Sequence, residues 1–599
     1  MTEPILKYSD VEDSGISRRR YVAIVGAIAG APALAGCSGD DGDDGDDGGG
    51  DGGDGGNGGS DGGGSDGDGG DGSDETPTEG DGNSNLPSGP RPHFDAYADL
   101  DVSHGGTVNI VMSTSFSALD AAYSVNSADL AVTTFIAERL FELNEGLEAY
   151  PKIATGIEVS DGGKQWTFSL REGVMFHPPF ERELTAEDVK FNFERIGNPD
   201  TGSVHFKTWY QNAEYTAVDD YTFRINFDEP RAAMDNWQAS IDGVGMHSPD
   251  AIEERGNMKQ EPVGTGPFVF EEWVQGDHLT MTAYDNYYID GLPVVDTVEI
   301  PVIPNASTKR SSLQNGDVHI LRKPVADTIT QLENADGITL SSEPSDGFRT
   351  IDCNPMEEPT KGRADGTPTT DRKVRQAVNA AIGREEMAVL VKDGKATPTQ
   401  NYWPERSPWH LDYNPYSMTA SPDESKRLLE EAGYSTPVPV TMLGVSGRPV
   451  LQAIGRTARD QLSKAGFDVN LVEPPGGGWW SRLQSSEWDL AVNIFSGIPD
   501  PDIARPFFTA PGEDSYAFNW TVDGHEEMFS TWDEGGRVVE YEERKELYDE
   551  AQRTAIDAGC RNVVFHPWNV RAFRDEVKNY KAEAHNTNFE MDKLWVADQ

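Results

Sequence analysis

The residues of this chain best suited to binding a small molecule are aromatic. They stand beside Pro, Gly or strand ends, at positions typical of loops: Trp403, Trp409, Trp479, Trp480, Phe495 and Trp520. Rigid aromatic side chains on loops above a scaffold are typical of binding clefts. For any single tryptophan, the alternative is a place in the core. Trp479 and Trp480 are adjacent, and adjacent residues of a strand point to opposite faces, so one of them is expected to face solvent or ligand.

Motifs for catalysis and metal binding are incomplete in this sequence. The segment 525–528 reads His-Glu-Glu-Met and lacks the second histidine of a zinc protease. Ser446 lies in a Gly-Val-Ser-Gly run that is followed by Arg448 rather than by the glycine of a nucleophile elbow. The 11 histidines are scattered, without a close-spaced pair. We therefore predict no catalytic residue, metal ligand or cofactor, and a secreted, salt-adapted hydrolase is the remote alternative.

The charge balance excludes further classes of protein. The chain has 103 Asp and Glu against 49 Lys and Arg, which gives a formal net charge of −54. Such a surface repels nucleic-acid phosphates and anionic lipid headgroups. The composition indicates adaptation to high salt, where screening weakens the repulsion between carboxylates; an ordinary acidic secreted protein is the alternative. With 3 cysteines in 599 residues, a disulfide framework is excluded.

The first 37 residues are typical of a targeting segment. Arg18 and Arg19 form the pair of a twin-arginine signal, and an apolar stretch follows over 21–35. That stretch is too short to span a hydrocarbon core of about 30 Å. It ends at Cys37, whose preceding residues resemble a lipobox, so we predict a signal peptide over 1–37 with lipid attachment at Cys37. A chance cysteine beside a short apolar run is the alternative.

A low-complexity segment separates this signal from the globular part of the chain. Residues 38–90 are largely Asp and Gly, without Lys or Arg. The segment has almost no apolar surface to bury, and its glycines maximise chain entropy, which predicts a disordered tether. The protein is then expected at the outer face of the cell membrane, attached to the membrane only by its lipid.

The elements that must position the aromatic residues begin near His104. Alternating apolar residues predict a first strand over 105–111. The segments 164–171 and 221–227 alternate in the same way and are expected to pair as antiparallel neighbours. Between them, Thr185 is expected to cap a helix, with Asp188 at the capping-box position and a glycine at the end.

The second half of the chain is richer in helices. A 3.6-residue apolar period over 374–382, after Asp371, predicts one helix. Ser421 is expected to cap another, with Pro at its first position and Glu424 as the reciprocal partner. Mixed strands and helices without a repeat of 20–50 residues indicate an α/β protein rather than a solenoid.

Several sequence blocks together resemble a known family. The richest block lies within 147–196 and includes Pro-Lys-Ile-Ala at 151–154 and Ser-Asp-Gly-Gly-Lys-Gln-Trp at 160–166. Later blocks are Pro262–Phe268, Gly316-Asp317, Asp371–Ala377, Ala432–Tyr434, Gly466–Val469 and Asp500-Pro501. The series resembles the family 5 extracellular solute-binding proteins, the dipeptide, oligopeptide and nickel group that feeds ABC importers. It covers roughly residues 104–599.

The resemblance implies an α/β fold of the two-lobed, periplasmic-binding-protein-like clamshell type, in its large form with an extra subdomain. Lobe one would comprise 100–354, with the extra subdomain at 146–261, and would be completed by 563–599. Lobe two would comprise 355–562.

On this division, Cys353 and Cys560 fall near the two crossings between the lobes. A disulfide between them is possible outside the cell. Two buried, unpaired thiols are the expectation that we prefer.

The resemblance also implies a function. Such a receptor captures a peptide-like or other small polar solute, closes on it and docks a membrane permease, here as a monomer that makes or breaks no bond. An oligosaccharide-binding importer receptor, or a chemosensory receptor that hands the solute to a sensor, is the alternative. The residues expected to bind ligand are Trp403, Trp409, Trp479, Trp480, Phe495, Gly497 and Asp500.

Gly497 departs from the family pattern. In relatives that take peptides, an Asp three positions before the acidic-Pro pair holds the α-ammonium of the ligand. Counted back from Asp500, that position is Gly497 here. A buried ammonium without a carboxylate costs several kcal/mol. We therefore expect a sugar, a modified peptide or another amphiphilic solute, unless Asp500 or Asp502 supplies the charge.

Overall fold

The computed structural model describes residues 102–597, except for 125–126, 145, 204–212, 241–242, 356–366, 393, 476–477, 486, 496, 509–524, 583–584 and 586–590. The predictions on Arg18, Arg19, Cys37, the tether at 38–90 and Trp520 lie outside the described residues. Of the helices in the described ranges, none is long and apolar enough to cross a membrane.

The strands of the described residues build one large sheet and three small ones. In chain order they are β1 (Thr107–Val111), β2 (Phe141–Leu143), β3 (Ala149–Pro151), β4 (Ala154–Ser160), β5 (Gln165–Leu170), β6 (Ala213–Asp219), β7 (Thr222–Phe227), β8 (Phe268–Val274), β9 (His278–Ala283), β10 (Thr297–Pro301), β11 (Ile320–Arg322), β12 (Ile338–Pro344), β13 (Phe348–Cys353), β14 (Ala396–Pro398), β15 (Val438–Leu443), β16 (Phe467–Val472), β17 (Leu490–Phe495), β18 (Arg561–Arg574), β19 (Val577–Lys578) and β20 (Trp595–Val596).

Helices connect and cover these strands. They are α1 (Ser127–Ile136), α2 (Ala186–Gly197), α3 (Met234–Ala239), α4 (Pro249–Arg255), α5 (Ala306–Asn315), α6 (Ala326–Leu332), α7 (Arg372–Ala381), α8 (Arg384–Lys392), α9 (Pro422–Glu431), α10 (Pro449–Lys464), α11 (Gly478–Ser485), α12 (Pro501–Phe508), α13 (His525–Gly535) and α14 (Tyr541–Ala558). Short 3₁₀ helices occupy Ala121–Tyr123, Asp161–Gly163, Pro199–Thr201 and Pro368–Thr370.

The large sheet depends on one long strand, β18. Its main path runs β16-β15-β17-β13-β18-β11-β1-β10-β9-β8, and β12 and β14 also pair with β18. The first part of β18 pairs with β13 as far as Phe565, and the last part pairs with β12 from Trp568 onward. Pro567, which has no N–H to donate, falls between the two pairings. Because all but two of the 14 residues of β18 are buried and it has partners on both sides, it behaves as a central strand.

A separate antiparallel sheet, in the order β4-β5-β7-β6, confirms the predicted pairing of 164–171 with 221–227. Trp166 stacks on Phe168 with ring centroids 6.3 Å apart, and Phe168 stacks on Phe223 at 5.9 Å. Helix α2 packs on this sheet and begins as predicted, since the Asp188 carboxylate accepts from the N–H of Thr185 at 2.9 Å.

The two helices predicted in the second half are present, with one difference at a cap. Asp371 caps α7 by accepting from the N–H of Lys373 at 2.7 Å. At α9 the Ser421 side chain makes no cap hydrogen bond, so the expected capping box is wrong. Glu424 is instead held by Arg427 at 2.7 Å, because an ion pair one turn along the helix competes with the cap for its carboxylate.

Cys353 is the last residue of β13, and Cys560 immediately precedes β18. Both are buried free thiols, which agrees with the preferred expectation from the sequence. The N–H of Cys353 donates to the carbonyl oxygen of Cys560 at 2.7 Å. Burial raises the pKa of Cys560 to about 11, which leaves its thiol protonated and unreactive. The lobe boundaries at 100–354, 355–562 and 563–599, and the extra subdomain at 146–261, stay predictions.

The glycines of the block 262–268 are required by close backbone contacts. A Cβ built on Gly264 would lie closer than 3.0 Å to the carbonyl oxygen of Ile136 at the end of α1, and one on Gly266 would meet Phe135 in the same way. Neither backbone oxygen can move without displacing α1, so a side chain at either position overpacks the core.

We predict that Gly264→Ala lowers the free energy of unfolding by about 3 kcal/mol, because the methyl group must displace backbone. The measurement is urea unfolding in molar salt. Gly156→Ala is the matched control, since a Cβ there meets nothing nearer than Ser169 at 4.0 Å. Equal effects of the two substitutions would contradict this account.

His177 is buried beside the same block. Its Nε2 lies 2.8 Å from the carbonyl oxygen of Gly266, and its ring packs edge-on to Tyr284. Burial, assisted by the nearby His247, lowers the pKa of His177 to about 4, against the opposing effect of the Gly266 carbonyl. The unfolded chain takes up this proton near pH 6.5, so the folded state loses stability as the pH falls from there toward 4.

We therefore predict a pH-dependent difference between the protein and its His177→Phe variant. On going from pH 7 to pH 5, the protein should lose about 2 kcal/mol of unfolding free energy relative to the variant, because only the protein has the buried histidine. Urea unfolding at the two pH values measures this shift. A difference independent of pH would show that His177 titrates normally.

Candidate functional site

The aromatic residues singled out in the sequence are largely buried. Trp403, Trp409, Trp479 and Phe495 are buried and Trp480 is half-buried. Trp403 and Trp409 lie on the irregular segment between β14 and α9, as expected. The indole N–H of Trp403 donates to the carbonyl oxygen of Ile498 at 2.7 Å, next to Gly497.

Trp479 and Trp480 lie on helix α11, so the strand geometry assumed for them is wrong. Consecutive helical residues are about 100° apart, which keeps neighbouring side chains closer than on a strand. The ring centroids of the two tryptophans are 5.8 Å apart and tilted by 42°. The buried indole N–H of Trp479 has no acceptor among the described residues. The pair thus presents one connected aromatic surface.

Phe495 ends strand β17 and borders Gly497. Its ring stacks on Phe348 of β13 with centroids 4.7 Å apart, and the guanidinium of Arg561 lies 4.3 Å from its centroid on the β18 side. Strands β13, β17 and β18 therefore fix this ring, because it is clamped from two directions.

At Gly497 the structure shows a neighbouring carboxylate that the sequence motif does not reveal. A Cβ built on Gly497 would overlap the carboxylate of Asp346, at less than 3.0 Å from its carbon and both its oxygens. Asp346 lies in the turn between β12 and β13, far from residue 497 in sequence. The space into which a side chain at 497 would project is thus already filled by a carboxylate.

The Asp346 carboxylate is 1% exposed and has a defined environment. Its Oδ2 lies 2.5 Å from Nδ1 of His585, and the hydroxyl of Ser345 is 3.5 Å from its Oδ1. The Nε2 of His585 is buried without a partner in the described part of the chain. Sequence reasoning missed Asp346, whose only local signal is an Asp-Gly pair before a strand.

Asp500 and Asp502, the other carboxylates considered for the charge at Gly497, face cations of their own. Asp500 is buried and accepts from Arg544 at 2.7 Å, from Asn236 at 3.1 Å and from the N–H of Asp502 at 2.9 Å. The nearest cation to Asp502 is Arg505, at 3.6 Å. Asp500 thus anchors the start of helix α12, and the three atoms nearest to a Cβ at 497 belong to Asp346 rather than to Asp500 or Asp502.

Trp409 belongs to the same network as Asp500. The Arg544 guanidinium that pairs with Asp500 lies 4.8 Å from the ring centroid of Trp409, and Tyr548 packs edge-on to that ring at 5.6 Å. Arg544 thus connects Trp409 to Asp500, whereas Phe495 lies two residues from Gly497.

The ligand-binding roles of all seven residues stay predictions. Among the described residues, no group of three or more His, Cys, Asp or Glu is placed to hold a metal ion.

We predict that residues 497 and 346 are energetically coupled. Gly497→Ala should lower the free energy of unfolding by about 3 kcal/mol because its methyl overlaps the Asp346 carboxylate. In an Asp346→Ala background the same change should cost about 2 kcal/mol less. A double-mutant cycle by urea unfolding measures the coupling. Additive effects would show that the two residues do not compete for one space.

Comparison with known proteins identifies the family of this chain. Residues 148–515 match the family of bacterial extracellular solute-binding proteins, family 5 Middle. The glutathione-binding protein GsiB of Salmonella typhimurium is 25% identical over 453 residues, which cover 74% of this chain and 86% of that protein. GsiB of Escherichia coli is 26% identical over 371 residues, which cover 62% and 70%.

Solved structures show the same fold. The substrate-binding protein CtaP of Listeria monocytogenes superposes with a TM-score of 0.72 at 19% identity, covering 82% of this chain and 99% of that one. The oligopeptide-binding protein AppA of Bacillus subtilis, in complex with a nonapeptide, gives 0.66 at 21% identity and covers 83% and 100%. The fold is thus the α/β, two-lobed clamshell, and the chain belongs to the family 5 extracellular solute-binding proteins.

Proposed function

We propose that this protein is a lipid-anchored receptor that captures a peptide-type solute outside the cell and delivers it to the permease of an ABC importer. One observation carries the peptide part of this proposal. The carboxylate of Asp346 occupies the space that a side chain at residue 497 would fill.

The chemistry of that carboxylate suits an ammonium group. A buried carboxylate is stable only with a cation or with several hydrogen-bond donors. Among the described residues, two side chains offer donors to Asp346: His585 contacts one oxygen and Ser345 lies beside the other. An α-ammonium has three N–H donors and a full positive charge, so it completes this set. The loss of the motif carboxylate at Gly497 is thereby compensated from another segment.

Capture proceeds by closure and involves no bond chemistry. The ligand favours the closed form by its differential affinity for closed over open lobes, and the permease then recognises the closed form. The protein acts as a monomer and as a receptor rather than an enzyme. Two groups of relatives support a peptide as the solute: the curated ones are named for glutathione, and AppA holds a nonapeptide.

The anchoring part of the proposal rests on the sequence. Arg18 and Arg19 direct export, Cys37 carries the lipid, and the acidic segment 38–90 is the tether that holds the receptor off the membrane. Its charge and the net charge of −54 suit a salt-rich exterior. Replacing Cys37 with Ser should release the protein from the membrane fraction into the medium.

We predict that Asp346 discriminates free from blocked amino termini. Wild-type protein should bind glutathione or tripeptides about 10- to 100-fold tighter than their N-acetylated forms, which corresponds to one lost charge-assisted hydrogen-bonding group. Asp346→Ala should abolish the preference, and the double variant Gly497→Asp/Asp346→Ala should restore it. Isothermal titration calorimetry in molar salt measures all three.

Asp460→Ala, at an exposed position, is the control and should keep the preference. Equal affinity for free and acetylated peptides in wild-type protein would remove Asp346 from the binding site. Binding of oligosaccharides but not of peptides would replace the proposed solute.

A further inference from the structure

A direct contact joins the helix after the four-stranded sheet to the segment after strand β17. Asn236 lies in helix α3, and its Nδ2 donates to Oδ2 of Asp500 at 3.1 Å. Asp500 immediately precedes helix α12. On the division that the resemblance implies, Asn236 belongs to the extra subdomain of lobe one and Asp500 to lobe two. The hydrogen bond therefore spans the two predicted lobes.

Each partner in this hydrogen bond is held by residues on its own side. Oδ1 of Asn236 accepts from the N–H of Ala149 in β3 at 3.1 Å, which leaves Nδ2 to donate to Asp500. Oδ1 of Asp500 accepts from Arg544 at 2.7 Å and from the N–H of Asp502 at 2.9 Å, which leaves Oδ2 to accept from Asn236. Because both side chains are already oriented, little conformational entropy is lost when they meet.

Two further contacts join the same parts of the chain. The N–H of Ala232 donates to the carbonyl oxygen of Gly536 at 3.1 Å, and Arg537 pairs with Glu229 at 3.5 Å. Ala232 and Glu229 lie between β7 and α3, whereas Gly536 and Arg537 directly follow helix α13. The ion pair is exposed, so molar salt weakens it more than it weakens the hydrogen bonds.

A glycine in one of the motif blocks lies on the same surface. A Cβ built on Gly163 would lie 2.9 Å from Cγ2 of Val539, which follows helix α13. The carbonyl oxygen of Gly163 accepts from the N–H of Arg231 at 3.0 Å, which ties this turn to the segment that carries Ala232. The block 160–166 therefore helps to form the surface between the predicted lobes.

We propose that these contacts are a latch that forms when the lobes close and that sets the closed fraction of the protein independently of the solute. The latch comprises the contacts of Asn236 with Asp500, Ala232 with Gly536 and Glu229 with Arg537. A solute held by both lobes binds the closed form, so its apparent affinity scales with the closed fraction. The latch therefore changes the affinity for every solute by one common factor and leaves the preference among solutes unchanged.

The latch assigns a positioning role to Asp500. Its carboxylate is buried and accepts from three protein donors, one of them across the predicted lobes. Such a carboxylate acts on solute binding through the position of the lobes. The proposal goes beyond the proposed function, since it does not depend on which solute is captured.

The test is the substitution Asn236→Asp in the full chain. The new carboxylate keeps an oxygen for the N–H of Ala149 but replaces the donor toward Asp500 with a second negative charge. Closure then brings two carboxylates together in a poorly solvated place, which favours the open form.

Two measurements in molar salt follow the expected opening. Pulsed electron paramagnetic resonance reports the distance between spin labels introduced with Glu158→Cys and Ser435→Cys, at exposed positions of the four-stranded sheet and of lobe two. Without solute, Asn236→Asp should lengthen this distance. Calorimetry should show that glutathione and tri-alanine both bind at least about tenfold more weakly, by the same factor.

Asn305→Asp is the matched control. Asn305 is exposed and caps helix α5 through Oδ1, which accepts from the N–H of Thr308 at 3.0 Å. The substitution makes the same chemical change and keeps the cap, so it should alter neither the label distance nor the affinities. Thermal unfolding without solute verifies that both variants fold.

A second variant tests the latch at an exposed position. Glu229→Arg places a cation opposite Arg537 and should lengthen the label distance and weaken both peptides by about twofold, since an exposed pair contributes little. Adding Arg537→Glu should restore the wild-type distance.

Three results would overturn the proposal. The first is an unchanged label distance in Asn236→Asp, including a loss of thermal stability alone, which would make the contact a permanent interface. The second is a longer distance with unchanged affinity for peptides that bind. The third is a loss of affinity for only one of the two peptides, which would place Asn236 in the solute site.

The design also separates this proposal from the proposed function. If neither peptide binds while Asn236→Asp lengthens the distance, the latch stands and the peptide receptor fails. If both peptides bind wild-type protein and Asn236→Asp equally well, the receptor stands and the latch fails.

Discussion

Strand β18 is the constraint on which the rest of the structure depends. It is buried along nearly its whole length and pairs with β13 and β14 in its first part and with β12 and β11 in its last part. A slip of one residue in its register would exchange the two faces of the strand along its whole length. That register sets Arg561 against Phe495 near one end and Arg571 against Arg322 near the other. One strand thereby helps to fix the aromatic ring that borders Gly497.

Charge is used in two different ways in this molecule. Buried cations such as Arg195 and Arg544 are neutralised by internal carboxylates, which keeps the interior stable. At the candidate site the buried carboxylate of Asp346 is instead contacted by a histidine, since its Oδ2 lies 2.5 Å from Nδ1 of His585.

Gly497 and Asp346 show that a chemical group missing at a motif position can be present nearby on another segment. Read along the chain, the glycine removes the carboxylate that peptide-binding relatives use. In space, the absence of a side chain at 497 is what leaves room for the carboxylate of Asp346. The carboxylate that the motif position lacks is thus present on a neighbouring segment, at Asp346.

Local sequence determined much of the fold. The alternation over 164–171 and 221–227, the capping box of Thr185 and Asp188, and the ordered motif blocks predicted elements and family correctly, because each depends on residues close together in the chain. Contacts between distant segments were decided only by the tertiary structure. The engagement of Asp500 by Arg544 and the carboxylate of Asp346 beside Gly497 both bring together residues far apart in sequence. Spacing along the chain carries no distances between such residues, so packing and strand register alone determine which charges meet.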